Sequence, residues 1–111
     1  MAMSIHQKIS ENYNIEDMFD KGFDASNFLK AMAHHGRLMI LCHLVTGEKS
    51  VTELENLLSF RQAAVSQQLA RLRFEDLVGS RREGKAIYYS IKDKKVLKIL
   101  FLLHEEFNSE K

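Results

Sequence analysis

The sequence has little of what disulfide-bonded, multi-domain or membrane-spanning proteins need. Its 111 residues include one Cys, no Pro, no Trp and five Gly. A single Cys excludes an intrachain disulfide and a thiolate cluster such as a zinc ribbon, and it fits a reducing cytoplasm. Residues 1–15 lack a signal-peptide core, and the longest apolar run, Ile99–Leu103, is too short to cross a bilayer. We therefore expect a cytoplasmic protein.

The sequence also lacks repeats and any linker rich in Gly, Ser and Pro, so its length predicts one small domain. We assign residues 15–108 to this domain, residues 1–14 to an N-terminal extension and residues 109–111 to a C-terminal tail. A chain of this size buries only about two-thirds of its unfolded surface, so leftover apolar surface is expected to meet a second chain.

Charge is unevenly distributed, although the net charge is only +1. Residues 1–60 hold five basic and eight acidic side chains, residues 61–95 hold nine and four, and residues 96–111 hold two and three. The middle segment is therefore strongly basic. It indicates a polyanionic partner such as nucleic acid, with an ordinary solvated face as the alternative.

Apolar spacing predicts three helices in the first part of the chain. The first covers roughly residues 15–32, with an irregularity near Gly22–Ser26, and the second follows residues 34–36 and stops at Thr46-Gly47. Ser50-Val51-Thr52-Glu53 has the pattern of a capping box, in which two side chains satisfy free backbone amides. It predicts a short third helix that ends at Leu57 or Leu58.

A fourth helix is predicted over Gln62–Glu75, because Val65, Leu69 and Leu72 fall on one stripe. The pattern then changes to the two-residue period of strands.

Val78–Glu83 and Ala86–Ile91 predict a hairpin around Glu83-Gly84-Lys85, and Asp93 can cap a fifth helix that is apolar nearly all round. The fold class is therefore mainly α with a β-hairpin: four helices, two strands and a last helix, in the order of a winged helix-turn-helix.

The outer face of the fourth predicted helix and the hairpin carry the DNA-binding candidates. Small Ala side chains allow close approach to a major groove, Gln and Ser can bond base edges, and Arg and Lys suit guanine or phosphate. The candidates are Gln62, Ala63, Ser66, Gln67, Arg71, Arg81, Arg82 and Lys85.

From about residue 28 to residue 93 the sequence resembles the ArsR/SmtB family of winged-helix bacterial repressors. The matching stretches are Leu29-Lys30-Ala31-Met32-Ala33-His34, Arg37-Leu38, Ser50-Val51-Thr52-Glu53-Leu54, Val65-Ser66-Gln67-Gln68-Leu69 and Arg81-Arg82-Glu83-Gly84-Lys85. The resemblance implies a homodimer that binds a partly palindromic operator in double-stranded DNA and is released by a signal.

The resemblance also implies that the first and last predicted helices form the dimer interface. The interface candidates on them are Phe19, Leu97, Leu100, Phe101 and His104. The alternative for the last helix is a position fully enclosed in the core of its own chain.

The metal sites of this family are not matched. Val51–Leu58 contains no thiolate, and Asp93 lacks the early His of a site across paired terminal helices. We therefore expect no obligatory metal and no cofactor, with a mixed site at Cys42 and His43 as a less favoured alternative.

Cys42 stands in Ile40-Leu41-Cys42-His43-Leu44, a setting that resembles the sulfide- and redox-responsive subgroup containing BigR, SqrR and HlyU. In that subgroup a second cysteine follows near the end of the last helix, where this sequence has Asn108. A thiol bridge within one protomer is therefore excluded. Cys42 is a candidate redox sensor through oxidation or a mixed disulfide with a small thiol, and an inert buried cysteine is the alternative.

The predicted function is sequence-specific DNA binding by a homodimeric transcriptional regulator, a repressor that modification of Cys42 releases. The alternatives are a winged-helix module that binds a protein partner and a constitutive DNA binder with no thiol or metal inducer. We do not expect an enzyme, because no nucleophile with a base, no carboxylate pair and no phosphate loop stands out.

Overall fold

The computed structural model describes residues 2–59 and 62–108, except for the side chains of Gln62 and Ala63. Six helices and three strands occur in these ranges. In chain order they are α1 (Ile5–Asn12), α2 (Ile15–Met32), α3 (His35–Leu44), β1 (Lys49–Ser50), α4 (Val51–Leu58), α5 (Gln62–Phe74), β2 (Val78–Glu83), β3 (Ala86–Ile91) and α6 (Lys94–Phe107).

The three strands form one antiparallel sheet in the order β1-β3-β2. β2 and β3 pair along their whole lengths, and their bounds are those that the alternating pattern predicts. Gly84 adopts a φ of 62° in the turn between them, a left-handed conformation that costs glycine little. On the other side of β3, Lys49 lies opposite Tyr89 and Ser50 lies opposite Tyr88. The hairpin, or wing, is thereby joined to the residues that lead into α4.

The structure contains one helix, α1, and one strand, β1, that the sequence patterns do not predict, and its α2 lacks the predicted irregularity. α1 lies in the N-terminal extension and begins with a capping box between Ser4 and Gln7. β1 exists through its pairing with β3, and local periodicity does not reveal such a distant partner. The irregularity expected near Gly22–Ser26 is wrong, because α2 is continuous from Ile15 to Met32. A solvent-accessible helical glycine costs about 1 kcal/mol relative to alanine, which a long helix tolerates.

α4 and α5 are the two helices of the helix-turn-helix. The predicted capping box starts α4: Glu53 N–H donates to Ser50 Oγ at 3.1 Å, and Ser50 N–H donates to Glu53 Oε1 at 2.7 Å. Ser59 ends the helix in a left-handed conformation. The capping box therefore fixes where the chain leaves the sheet and enters the helix-turn-helix.

The hydrophobic core joins α5 to the helices and sheet around it. Val65, Leu69 and Leu72 have no exposed surface, which confirms the predicted stripe. Their neighbours in the core come from α2, α3, α4, β2 and α6. α5 is thus packed against the core at these three positions.

α6 begins at Asp93, whose carboxylate accepts a hydrogen bond from the Lys95 N–H at 2.9 Å, as the sequence predicts. Val96 and Leu100 are buried in the core, while Leu97 and Phe101 are exposed. Among the helices described, none is both long and apolar enough to cross a membrane.

Candidate nucleic-acid interface

The side of α5 that faces away from the core carries polar and cationic side chains. Gln67 and Arg71 lie opposite the buried stripe and Ser66 lies at its edge, and all three are exposed. The side chains of Gln62 and Ala63, the other two candidates on this helix, lie outside the described part of the structure. The helix therefore presents three of its five predicted contacts to solvent.

Arg71 makes a weak ion pair with Glu75, the first residue after α5, and its Nε lies 3.5 Å from Glu75 Oε2. Exposed pairs at this spacing contribute about 0.3–0.5 kcal/mol. Such a pair costs little to break, so the guanidinium of Arg71 remains accessible to another hydrogen-bond acceptor.

Arg37, at the start of α3, connects α2 to α5. Its Nε–H donates to the Ala31 carbonyl at 2.6 Å and its Nη2 to the Lys30 carbonyl at 3.2 Å, both at the C-terminal end of α2. Its Nη1 donates to Gln68 Oε1 on α5 at 2.9 Å. Partial burial, together with the charge of Arg71, lowers the pKa of Arg37. Arg37 is absent from the site residues predicted from sequence, because its partner on α5 is 31 residues away.

The wing carries Arg81, Arg82 and Lys85, all three exposed. Arg82 and Lys85 lie on either side of the Gly84 turn and make no ion pair with any residue in 2–59 or 62–108. Both are long, solvated cations at the tip of a narrow hairpin. A phosphate backbone can approach such a tip without a steric barrier.

Arg81 differs from its two neighbours because carboxylates already surround it. Its Nε–H donates to both carboxylate oxygens of Glu48, at 3.1 and 3.0 Å, and its Nη2 also bonds Glu48. Its Nη1 donates to Glu83 Oε1 at 2.7 Å, and its guanidinium lies 4.7 Å from the centre of the Tyr88 ring. These hydrogen bonds raise the pKa of Arg81 and lower the pKa of Glu48.

Cys42 lies on the side of α3 that faces α6. It lines a cleft of about 380 Å³ with Leu97, Phe101 and His104 of α6. The side chain of Cys42 is exposed, and partial desolvation in the cleft raises the pKa of its thiol. The Nδ1 atom of the His104 ring is 3.1 Å from the side-chain amide nitrogen of Asn108. The thiol is thus accessible in the protomer and is not buried as the alternative expects.

The apolar candidates for a dimer interface divide into exposed and buried side chains. Phe19 on α2 is 79% exposed and Phe101 on α6 is 66% exposed, whereas Leu100 is 7% exposed and lies in the core of its own chain. Leu97 and His104 are exposed. Leu100 therefore packs in the core of its own chain and offers little surface to an interface, whereas its neighbours Leu97 and Phe101 lie on the surface of α6.

Further apolar side chains extend this surface along α2. Ile15, Phe19 and Phe23 recur every four residues and are all exposed. An apolar groove of about 930 Å³ lies between α2 and α6, with Phe28 and Ile99 among its lining residues. The two helices leave much of their apolar surface uncovered within one protomer.

The described residues, 2–59 with 62–108, contain no group of three or more His, Cys, Asp or Glu side chains placed to hold a metal ion.

Comparisons with known proteins give a consistent set of similarities. Residues 34–80 match the sequence family described as "Bacterial regulatory protein, arsR family". The transcriptional activator HlyU of Vibrio cholerae is 41% identical over 91 residues, which cover 82% of this chain and 84% of HlyU. The biofilm growth-associated repressor of Xylella fastidiosa is 39% identical over 92 residues, which cover 83% of this chain and 81% of the repressor.

Solved structures agree with the sequence similarities. The crystal structure of the transcriptional repressor BigR from Xylella fastidiosa superposes with a TM-score of 0.80 at 38% identity, covering 85% of this chain and 96% of the BigR chain. Residues 34–80, which match the sequence family, include both helices of the helix-turn-helix and the start of the wing.

Proposed function

Because the chain belongs to the ArsR family of bacterial regulatory proteins and is a DNA-binding transcriptional regulator, we propose that it acts as a homodimeric repressor on a partly palindromic operator. One observation carries the proposal: α5 exposes Ser66, Gln67 and Arg71 on one side, while the Val65, Leu69 and Leu72 stripe on the other side is fully buried. A helix held this firmly can present hydrogen-bonding groups to base edges in a major groove. A dimer that occupies its operator excludes other proteins from the same DNA.

In this proposal the two helical turns of α5 that face the DNA read sequence. Gln67, with Gln62, bonds base edges, and Ser66 and Arg71 bond a base or a phosphate. Ala63 permits close approach. The wing supplies sequence-independent contacts through Arg82 and Lys85, and their exposure and the absence of an ion pair to either of them among the described residues support that role.

The dimer is proposed to form through α2 and α6. Support comes from the exposed stripes on both helices, since contiguous apolar surface of this kind marks an interface in a protein of this size. A two-fold dimer would set two copies of α5 about one turn of DNA apart, near 34 Å, which suits a palindrome.

Modification of Cys42 is the proposed signal that releases DNA. Its thiol is accessible and lies between α3 and α6, so an added group would press on a helix of the proposed interface. The proposal requires no metal and no cofactor.

Mobility shifts with DNA from upstream of the chain's own gene test the function. We expect a discrete complex that survives excess unrelated DNA and is unaffected by a chelator. Arg82→Ala should weaken binding to all sequences alike and reduce the salt slope by about 0.9 for each phosphate that the variant no longer neutralises. Lack of sequence-specific binding across the regulated region would contradict the operator proposal and favour a module that binds a protein.

A further inference from the structure

The wing is tied to the helix-turn-helix by a cluster of four side chains, Glu48, Arg81, Glu83 and Tyr88, which we call the clasp. Arg81 lies on β2, at one edge of the sheet, and Glu48 immediately precedes β1, at the other edge. Tyr88 on the central strand pairs with Arg81 on one side and with Ser50 on the other. The Arg81 side chain therefore crosses over the Tyr88 ring to reach Glu48.

The clasp strengthens the weakest part of the sheet. β1 has only two residues, so few backbone hydrogen bonds hold it against β3. Its second residue, Ser50, is also the cap of α4. A side-chain bond from β2 to Glu48 thus links the wing to the first helix of the helix-turn-helix, across 33 residues of sequence.

Charge within the clasp is unfavourable for a DNA contact. One guanidinium faces two carboxylates, so the group carries a net charge of −1, and three of the five N–H donors of Arg81 already have partners. A phosphate that bound Arg81 would have to displace Glu48 or Glu83, or approach next to them. Arg82 and Lys85 present no such obstacle.

We propose that Arg81 and Glu48 are positioning residues that hold the wing at a fixed angle to α4 and α5, and that Arg81 makes no phosphate contact. This inference rests on the proposed DNA-binding function and changes one of its predicted contacts. Glu48, an acidic side chain that electrostatics alone would make unfavourable near DNA, is then required for tight binding.

Two substitutions separate positioning from phosphate binding. Glu48→Gln removes a negative charge, and Arg81→Lys keeps the positive charge but loses the paired geometry and the stacking on Tyr88. With a positioning role, each should weaken operator binding by about fivefold, the magnitude of a well-formed surface ion pair, with an unchanged salt slope. Combining them should weaken binding little more than either alone.

The contrary results are equally specific. Tighter binding by Glu48→Gln, or wild-type binding by Arg81→Lys together with a reduced salt slope for Arg81→Ala, would overturn the inference and make Arg81 a phosphate contact. Thermal unfolding of each variant confirms that the chain is folded, because the clasp is exposed and its loss should move the melting temperature by only a few degrees.

Arg82→Ala is the matched control on the next residue of β2. It should weaken binding and reduce the salt slope. If Arg82→Ala and Lys85→Ala both leave affinity and slope unchanged, the proposed phosphate role of the wing fails, whereas failure of the clasp alone appears as tighter binding by Glu48→Gln.

Discussion

The environment of Cys42 acts on its chemistry in two opposing ways. The side chain is exposed in the cleft between α3 and α6, so small reagents can reach it. Partial desolvation raises the pKa of the thiol, and this lowers the fraction of thiolate near neutral pH. Since the thiolate is the nucleophile, we expect Cys42 to be accessible but to react more slowly than a thiol with an ordinary pKa.

We predict that iodoacetamide alkylates Cys42 more slowly in the folded chain than in the chain unfolded by urea at pH 7. A raised pKa means that the folded thiol ionises at higher pH, so the difference should narrow as the pH rises through that pKa. Mass spectrometry at several times and pH values measures both rates. Faster alkylation of the folded chain at pH 7 would contradict the raised pKa.

The proposed release mechanism makes a separate prediction for the same side chain. Treatment with a persulfide donor should lower the operator affinity of the wild type by about tenfold, the usual size of coupling between two sites. Cys42→Ser should bind as tightly as the untreated wild type and should not respond. An unresponsive wild type would favour a constitutive DNA binder, and an equal response in both proteins would exclude Cys42 as the sensor.

α5 performs two tasks with two faces. Val65, Leu69 and Leu72 bury its inner face completely, and Arg37 binds Gln68 on its flank. The packing of the helix against the core lies on this side, and the side chains proposed to contact DNA lie on the other.

We predict that Leu69→Ala lowers the free energy of unfolding by about 2–5 kcal/mol, because it leaves a cavity at a fully buried position. Gln67→Ala, two residues earlier on the exposed face, should change the free energy of unfolding by no more than about 0.5 kcal/mol. Urea unfolding measures both variants.

Although Gln67→Ala should barely change stability, we expect it to change the base specificity of DNA binding. Gln67→Ala should lose discrimination at one base pair by about 1–3 kcal/mol, measured by titration of operators changed at single positions. A uniform loss of affinity for every operator would show that Gln67 contacts the backbone and not a base.

The protomer leaves many large apolar side chains exposed to solvent. Exposed stripes run along α1, α2 and α6, including Ile5 and Ile9 on α1. Since α2 and α6 are separated by an open groove, these stripes cannot cover each other within the chain. In the proposed dimer, a second copy of the chain would cover these stripes.

We predict that Phe101→Glu and Phe19→Glu convert the protein to monomers at micromolar concentration, because each places a charge in the proposed apolar interface. Sedimentation velocity measures the change. Phe74→Glu is the matched control, since Phe74 is 82% exposed but lies at the end of α5, and it should leave the dimer intact. Dimers in all three variants would place the interface elsewhere on the surface.

Local sequence patterns predicted much of this molecule. The Ser50–Glu53 capping box, the Asp93 cap and the bounds of the hairpin all appear in the structure as expected. Each depends on residues within about one helical turn or on neighbouring positions of one hairpin. Backbone sterics and local hydrogen bonds decide these features, so a linear pattern is sufficient to find them.

Features that join distant segments could not be predicted from the same patterns. β1 forms only because β3 lies beside it. Arg37 donates a hydrogen bond to Gln68, 31 residues away in the sequence, and Arg81 donates to Glu48, 33 residues away. The three wing cations are alike in the sequence, and their different surroundings become visible only after the chain has folded. A charge pattern along the chain shows that the middle segment is basic, but packing decides which of its cations meet a carboxylate and which remain free in solvent.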